Sequence, residues 1–114
     1  MPIVTVEALE PSHPNSISDM IKEIRNFGAE ALQSKPDNIW VIFHSLNPSH
    51  AAYPHPPVVI VKAQSGRTKE QRTAFVKIIS EAVGKALSQS SENIWVHFQE
   101  MSPQDIWFSD HWTA

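Results

Sequence analysis

Cysteine is absent from the 114 residues. That excludes a disulfide framework, a thiol nucleophile and any thiolate metal site. Glycine is scarce, with three in the chain, and neither a phosphate-cradling loop nor a Gly-x-Ser-x-Gly elbow is present. Basic charge is also short. Nine Lys and Arg stand against twelve Asp and Glu, a net −3, so no basic face is available to draw in nucleic acid or an anionic membrane. No apolar run reaches the length of a membrane span. The opening MPIVTVEALE lacks the basic and long apolar regions of a secretory signal. The six histidines (13, 44, 50, 55, 97 and 111) include no close-spaced ligand pair, so no metal is expected. A cytoplasmic protein without nucleic-acid or membrane partners is the expectation.

What is present is apolar material, 41% of the residues, enough for a single domain over 1–114. Tryptophan is rare in proteins, yet Ile-Trp-Val occurs twice, in DNIWVIF (37–43) and ENIWVHF (92–98). The two Trp are 55 residues apart, and the same spacing gives fourteen identities without a gap, from Pro2 with Pro57 to Pro48 with Pro103. Val4, Val6 and Ala8 meet Val59, Val61 and Ala63, while Ala31 and Leu32 meet Ala86 and Leu87. Chance does not hold one register over such a length. The chain is a tandem duplication, with repeat 1 over 2–53 and repeat 2 over 57–108.

Each repeat reads strand, helix, strand. PIVTVEAL (2–9) and PVVIVKAQ (57–64) are β-rich, with apolar residues at least every second position. Ile17, Met20, Ile21, Ile24, Phe27, Ala31 and Leu32 then recur at helical spacing. In the second copy Phe75, Val76, Ile79, Val83, Ala86 and Leu87 do the same. SISD (16–19) marks the first helix start, and TKEQ (68–71) the second, as a capping box. NIWVIF and NIWVHF are the second strands. Strand–crossover–strand units favour parallel pairs. The expected fold is therefore α+β, with a tandem β-α-β repeat forming a four-stranded mixed sheet that carries two helices on one face. The Pro-rich joint 47–57 links the copies. The uncovered sheet face calls for an oligomer.

A duplicated β-α-β unit with Pro directly after Met1 resembles the tautomerase superfamily. The resemblance is to its double-length trimeric members, such as the macrophage migration inhibitory factor, malonate semialdehyde decarboxylase and cis-3-chloroacrylic acid dehalogenase families. MPIV, SGRTKEQ, ENIWVHFQEM and DIWFSDHWTA carry it. It implies a cofactor-free homotrimer acting on a small carboxylate. The catalytic residues it implies are Pro2 and Arg67. Removal of Met1 makes Pro2 a secondary amine, and an α-amino group ordinarily titrates near ~8. Burial disfavours its charged form and brings it toward the neutrality a general base needs. Pro57 is an internal amide and cannot take that role. Arg67 falls at the Gly-Arg-Ser/Thr position, where a planar guanidinium pairs with a carboxylate. The first copy has Ser12 there.

Lys35, Trp95, His97 and Trp107 complete the implied substrate pocket. Trp95 and His97 lie two apart on a strand and so share a face, which in such trimers meets a neighbour's Pro. The tail aromatics Trp107, Phe108 and Trp112 suit a pocket wall or a trimer contact. Departures from the pattern are specific. Gln64 stands three residues before Arg67, and the decarboxylase's second Arg falls at Ser65. Its Asp falls at or beside Asn38, with Asp37 adjacent. Glu100 is shared with several relatives. The first functional reading is enol–keto tautomerisation of a 2-hydroxy-dienoate or enolpyruvate-like acid through Pro2. The others are decarboxylation or hydration of a small 3-oxo or unsaturated acid, and a non-catalytic trimeric binding protein. With Met1 attached, the Pro2 nitrogen is an amide and only the last remains.

Overall fold

The computed structural model describes residues 2–52 and 57–113. Met1, whose removal the amine chemistry requires, lies outside the described residues, as do residues 53–56, which hold the end of repeat 1, His55 and part of the Pro-rich joint.

Four seven-residue strands form the sheet: β1 (Ile3–Leu9), β2 (Trp40–Leu46), β3 (Val58–Gln64) and β4 (Trp95–Met101). Two helices, α1 (Ser16–Leu32) and α2 (Lys69–Leu87), join β1 to β2 and β3 to β4. The strand order is β2-β1-β3-β4. β1 runs parallel to β2 and β3 to β4, while β1 and β3 meet antiparallel at the centre. The expected mixed sheet is thus formed, and the strands of the two copies keep the 55-residue spacing. Among the described residues, no helix is long and apolar enough to cross a membrane.

Strand alternation sorts the two faces. Val4, Val6 and Ala8 on β1, with Val59, Val61 and Ala63 on β3, are buried beneath the helices. Phe75 and Ile79 of α2, with Met20 and Ile24 of α1, close over them. The intervening residues Ile3, Thr5, Glu7, Val58, Ile60 and Lys62 look the other way. The register extends this open face into three rows: Trp40–Ile3–Lys62–Gln99, Ile42–Thr5–Ile60–His97 and His44–Glu7–Val58–Trp95. Trp40 and Trp95 therefore stand at diagonal corners, related by the pseudo-twofold of the duplication.

The local signals act as their chemistry requires. Thr68 caps α2 through the Gln71 N–H, and the Gln71 side chain returns to the Thr68 N–H, both near 3 Å. The second strands begin at Trp40 and Trp95 rather than at the preceding Asn. Asn38 and Asn93 close 3₁₀ turns (Pro36–Asn38 and Ser91–Asn93), which use the local N–H groups first. Phe27 departs from the expected apolar stripe and is 54% exposed. Gly28 holds the contact instead: a Cβ there would lie 2.6 Å from Phe75 Cε1, so the absence of a side chain is what lets the helices close. Pro2 is fully buried, and its carbonyl accepts from the Trp40 N–H at 3.0 Å.

Candidate active site

The sequence after β3 is built to turn and then present one side chain. Gly66 adopts φ +108°, a conformation L side chains rarely take, and its Cβ direction is open space. Arg67 follows, and Thr68 at once starts α2. The Ser65 N–H bonds the Met101 carbonyl at 3.1 Å, tying the loop to the end of β4. Arg67 is thus held between a fixed strand end and a fixed helix start. Its Nε is buried with no hydrogen-bond partner. Among the described residues, no carboxylate lies within ion-pair distance of it.

The opposite wall comes from the tail. After the 3₁₀ turn Pro103–Asp105, β5 (Trp107–Phe108) and β6 (His111–Trp112) pair antiparallel, Trp107 facing Trp112 and Phe108 facing His111. Ser109 and Asp110 between them take φ of 55° and 64°, the double left-handed pattern of a two-residue hairpin turn. Thr113 returns its N–H to Ile106 O at 2.8 Å and its hydroxyl to Pro103 O at 2.7 Å, which closes the base. The Trp107 and Trp112 rings meet edge to face, with centroids 5.3 Å apart.

Between these parts lies a cavity of about 510 Å³. Arg67 and Gln64 line it from the β3–α2 side, and Ile106, Trp107, Phe108 and Thr113 from the tail. Ile3, Trp40 and Met101 form the strand contribution, with Ser34 and Asn38 from the end of α1 and the turn after it. Arg67 is the one cation among its described lining residues, and none of them is a carboxylate. Pro2 does not line the cavity itself, but it is bonded to Ile3 and hydrogen-bonded to Trp40, both of which do.

The remaining expected residues lie elsewhere. Lys35 is exposed in the turn before Pro36; its neighbours Ser34 and Asn38 face the cavity, and Lys35 is not among the lining residues. Trp95, 60% exposed, and His97 stack obliquely at 5.9 Å on the far corner of the open face. Strand spacing and rise put that corner roughly 20 Å from Trp40. One chain therefore brings Arg67 and Trp107 together but leaves Trp95 and His97 apart from them. The candidate helper carboxylates are already engaged. Asp37 pairs with Arg25 at 3.0 Å, and Glu100 with Arg72 at 3.2 Å, whose guanidinium also lies over Phe98.

Trp40 and Ser34 join the lining without having been singled out for it. Trp40 was readable only through the register, since its place depends on pairing with Ile3. A depression of about 560 Å³ between α1 and α2 is lined by Glu23, Glu30, Glu81 and Phe27. With carboxylates and no cation among its lining residues, it does not suit an acid. Among the described residues, no group of three His, Asp or Glu is placed to hold a metal.

A duplicated β-α-β sheet with one unpaired arginine in an aromatic cavity defines the class, and sequence comparison agrees with it. The tautomerase family profile, described as tautomerase enzyme, matches residues 57–113, half of the chain. The protein belongs to the tautomerase family. No curated protein matches it. Among solved structures, a wild-type fused 4-OT described as an asymmetric trimer is 16% identical, with a TM-score of 0.86 over 97% of this chain and 95% of that one. A member of the cis-3-chloroacrylic acid dehalogenase family is 18% identical, with a TM-score of 0.76 over 96% and 82%. The macrophage migration inhibitory factor of Toxoplasma gondii is 16% identical, with a TM-score of 0.71 over 96% and 97%. At these identities the likeness is one of fold.

Proposed function

We propose that the protein is a cofactor-free tautomerase that interconverts the enol and keto forms of a small 2-hydroxy-dienoate or enolpyruvate-like carboxylic acid. The observation that carries this is the buried, unpartnered Nε of Arg67 in a cavity next to Pro2. A buried donor without a partner costs stability unless a ligand supplies one, and a carboxylate suits a guanidinium best.

With Met1 removed, the neutral Pro2 amine takes the proton of the substrate's 2-hydroxyl. The O–H pair becomes the C=O π bond, and the C=C pair accepts a proton at carbon from the Pro2 ammonium. The amine is regenerated, so no cofactor is consumed. Arg67 holds the carboxylate and favours the enolate-like charge that develops during transfer. Pro2 acts in its neutral form, as a general base requires.

Trp95 and His97 enter this scheme through a second copy. Trp40, Ile42, Val58 and Trp95 expose large apolar surface on the open face, and relatives described as fused 4-OT are trimers. A homotrimer covers that face and brings a neighbour's corner toward Pro2. Hydration and decarboxylation are weaker readings, because Asp37 and Glu100 are held in ion pairs and no carboxylate is among the described lining residues.

The test is ketonisation of phenylenolpyruvate by protein shown Met-free by intact mass, beside Pro2→Ala. Turnover lost in the variant supports the amine mechanism. Inactivity of Met-free wild type removes it and leaves a carboxylate-binding protein.

A further inference from the structure

We propose that the β5–β6 hairpin makes the cavity selective for monocarboxylates with a flat apolar tail over dicarboxylates, and that Trp112 is the residue positioning that wall. The proposal rests on the cavity being the acid site described above.

A ligand carboxylate on Arg67 leaves its other end facing Ile3, Trp40, Ile106, Trp107 and Phe108. An aromatic or unsaturated tail gains there by burial and by offset ring contacts. A second carboxylate in that place would shed water without finding a cation among the described lining residues of its own chain, which is costly. Two other lysines come near in sequence or register, and neither is among the lining residues: Lys35 is exposed in its turn, and Lys62, the cross-strand partner of Ile3, is exposed on the open face. The remaining polar lining is neutral.

The wall's geometry depends on a residue outside the cavity. Trp112 does not line it, but stands directly opposite Trp107 in the hairpin and meets its ring at 80° and 5.3 Å. The Ser109–Asp110 turn and the two Thr113 bonds fix the strand ends. The Trp107 indole is then set by the ring of Trp112. Without it, Trp107 regains rotamer freedom and the tail loses a defined surface.

Calorimetric titration of the full chain with two unreactive probes, 3-phenylpropanoate and glutarate, tests this. Wild type is expected to bind the phenyl acid roughly tenfold or more tightly than the diacid. Arg67→Met should lose the phenyl acid. Trp112→Ala should bring the ratio toward one by weakening the phenyl acid selectively, and Trp112→Phe should keep the preference. Glutarate binding as tightly as the phenyl acid overturns the proposal. So does failure of both probes to bind wild type, or an equal loss of both in Trp112→Ala, which a merely structural role would give. Because binding is read without turnover, selective binding by an inactive protein would remove the tautomerase reading alone. Turnover without preference would remove the selectivity alone.

Discussion

Removing the guanidinium of Arg67 takes away the cavity's cation and, with it, a buried Nε that has no partner in the free protein. The two consequences have opposite signs. A charge-assisted hydrogen bond contributes about 1.5–3 kcal/mol, so Arg67→Met is expected to lower kcat/KM roughly ten- to a hundred-fold, or more if transition-state charge is also lost. Folding stability should hold or rise, since an unsatisfied donor leaves the interior. Steady-state kinetics and urea denaturation at one fixed protein concentration check both. A fall in stability without a fall in kcat/KM would recast Arg67 as structural. Arg67→Lys should not restore full activity, because an ammonium cannot present the two parallel donors of the fork.

At the scale of elements, the helix pair offers a packing test and an electrostatic one. Gly28 faces the buried ring of Phe75, and an added Cβ would fall 2.6 Å from Cε1. Overpacking of that kind costs about 1–3 kcal/mol, against which the better helix propensity of Ala returns up to about 1 kcal/mol. Gly28→Ala should therefore lower the urea midpoint, and an unchanged midpoint would mean that α2 shifts to make room. The second test is the Lys85–Glu23 pair, 2.9 Å apart between α2 and α1. The hydrogen bond to Glu23, then its charge, raises the Lys85 ammonium above the ordinary 10.5. A raised value means the contribution is complete below about that pH and fades as pH climbs through the folded value. The stability difference between wild type and Lys85→Met should be flat from neutrality to about pH 10 and shrink beyond it. A difference that widens in alkali would contradict the pairing.

These elements also show what could be read in advance. The 55-residue register determines strands, helices and their order, because identical patterns must satisfy the same two periods twice. Phe27 escaped, since spacing alone does not say that Gly28 lets the helices meet. The tail was readable as aromatic but not as a hairpin, because Ser109 and Asp110 take left-handed conformations that Asn-Gly would have advertised. Arg67 and Trp107, which line one cavity, were legible only through the family resemblance. Trp40 was not, because its membership of the cavity depends on which strand lies beside which.

At the scale of the whole molecule, the duplication has given the two ends of the open face different chemistry. Arg67 answers to Ser12, Lys62 to Glu7 and His97 to Ile42. The Trp40 end thus carries the cation-bearing cavity, and the Trp95 end carries His97 with Glu7 in the adjoining row. A ring of copies packed head to tail apposes unlike ends at every interface, whereas a two-fold dimer apposes like with like. In the proposed trimer, three copies would make three composite sites, each with Pro2 and Arg67 from one subunit and Trp95 and His97 from the next. Light scattering should give three times the 12.8 kDa of one chain, and Ile42→Lys on the open face should yield a smaller, inactive species. Complementation is the sharper measurement. Pro2→Ala and a Trp95→Ala/His97→Ala double variant should each be weakly active as pure trimers. Unfolded, mixed and refolded together at equal amounts, they place native Pro2 beside native Trp95 and His97 at some interfaces, which by random assembly recovers about a quarter of wild-type activity. Recovery to that level requires sites shared between neighbours. If the mixture stays at the mean of its two parents, each chain works with its own residues only, and the far corner of the sheet serves packing alone.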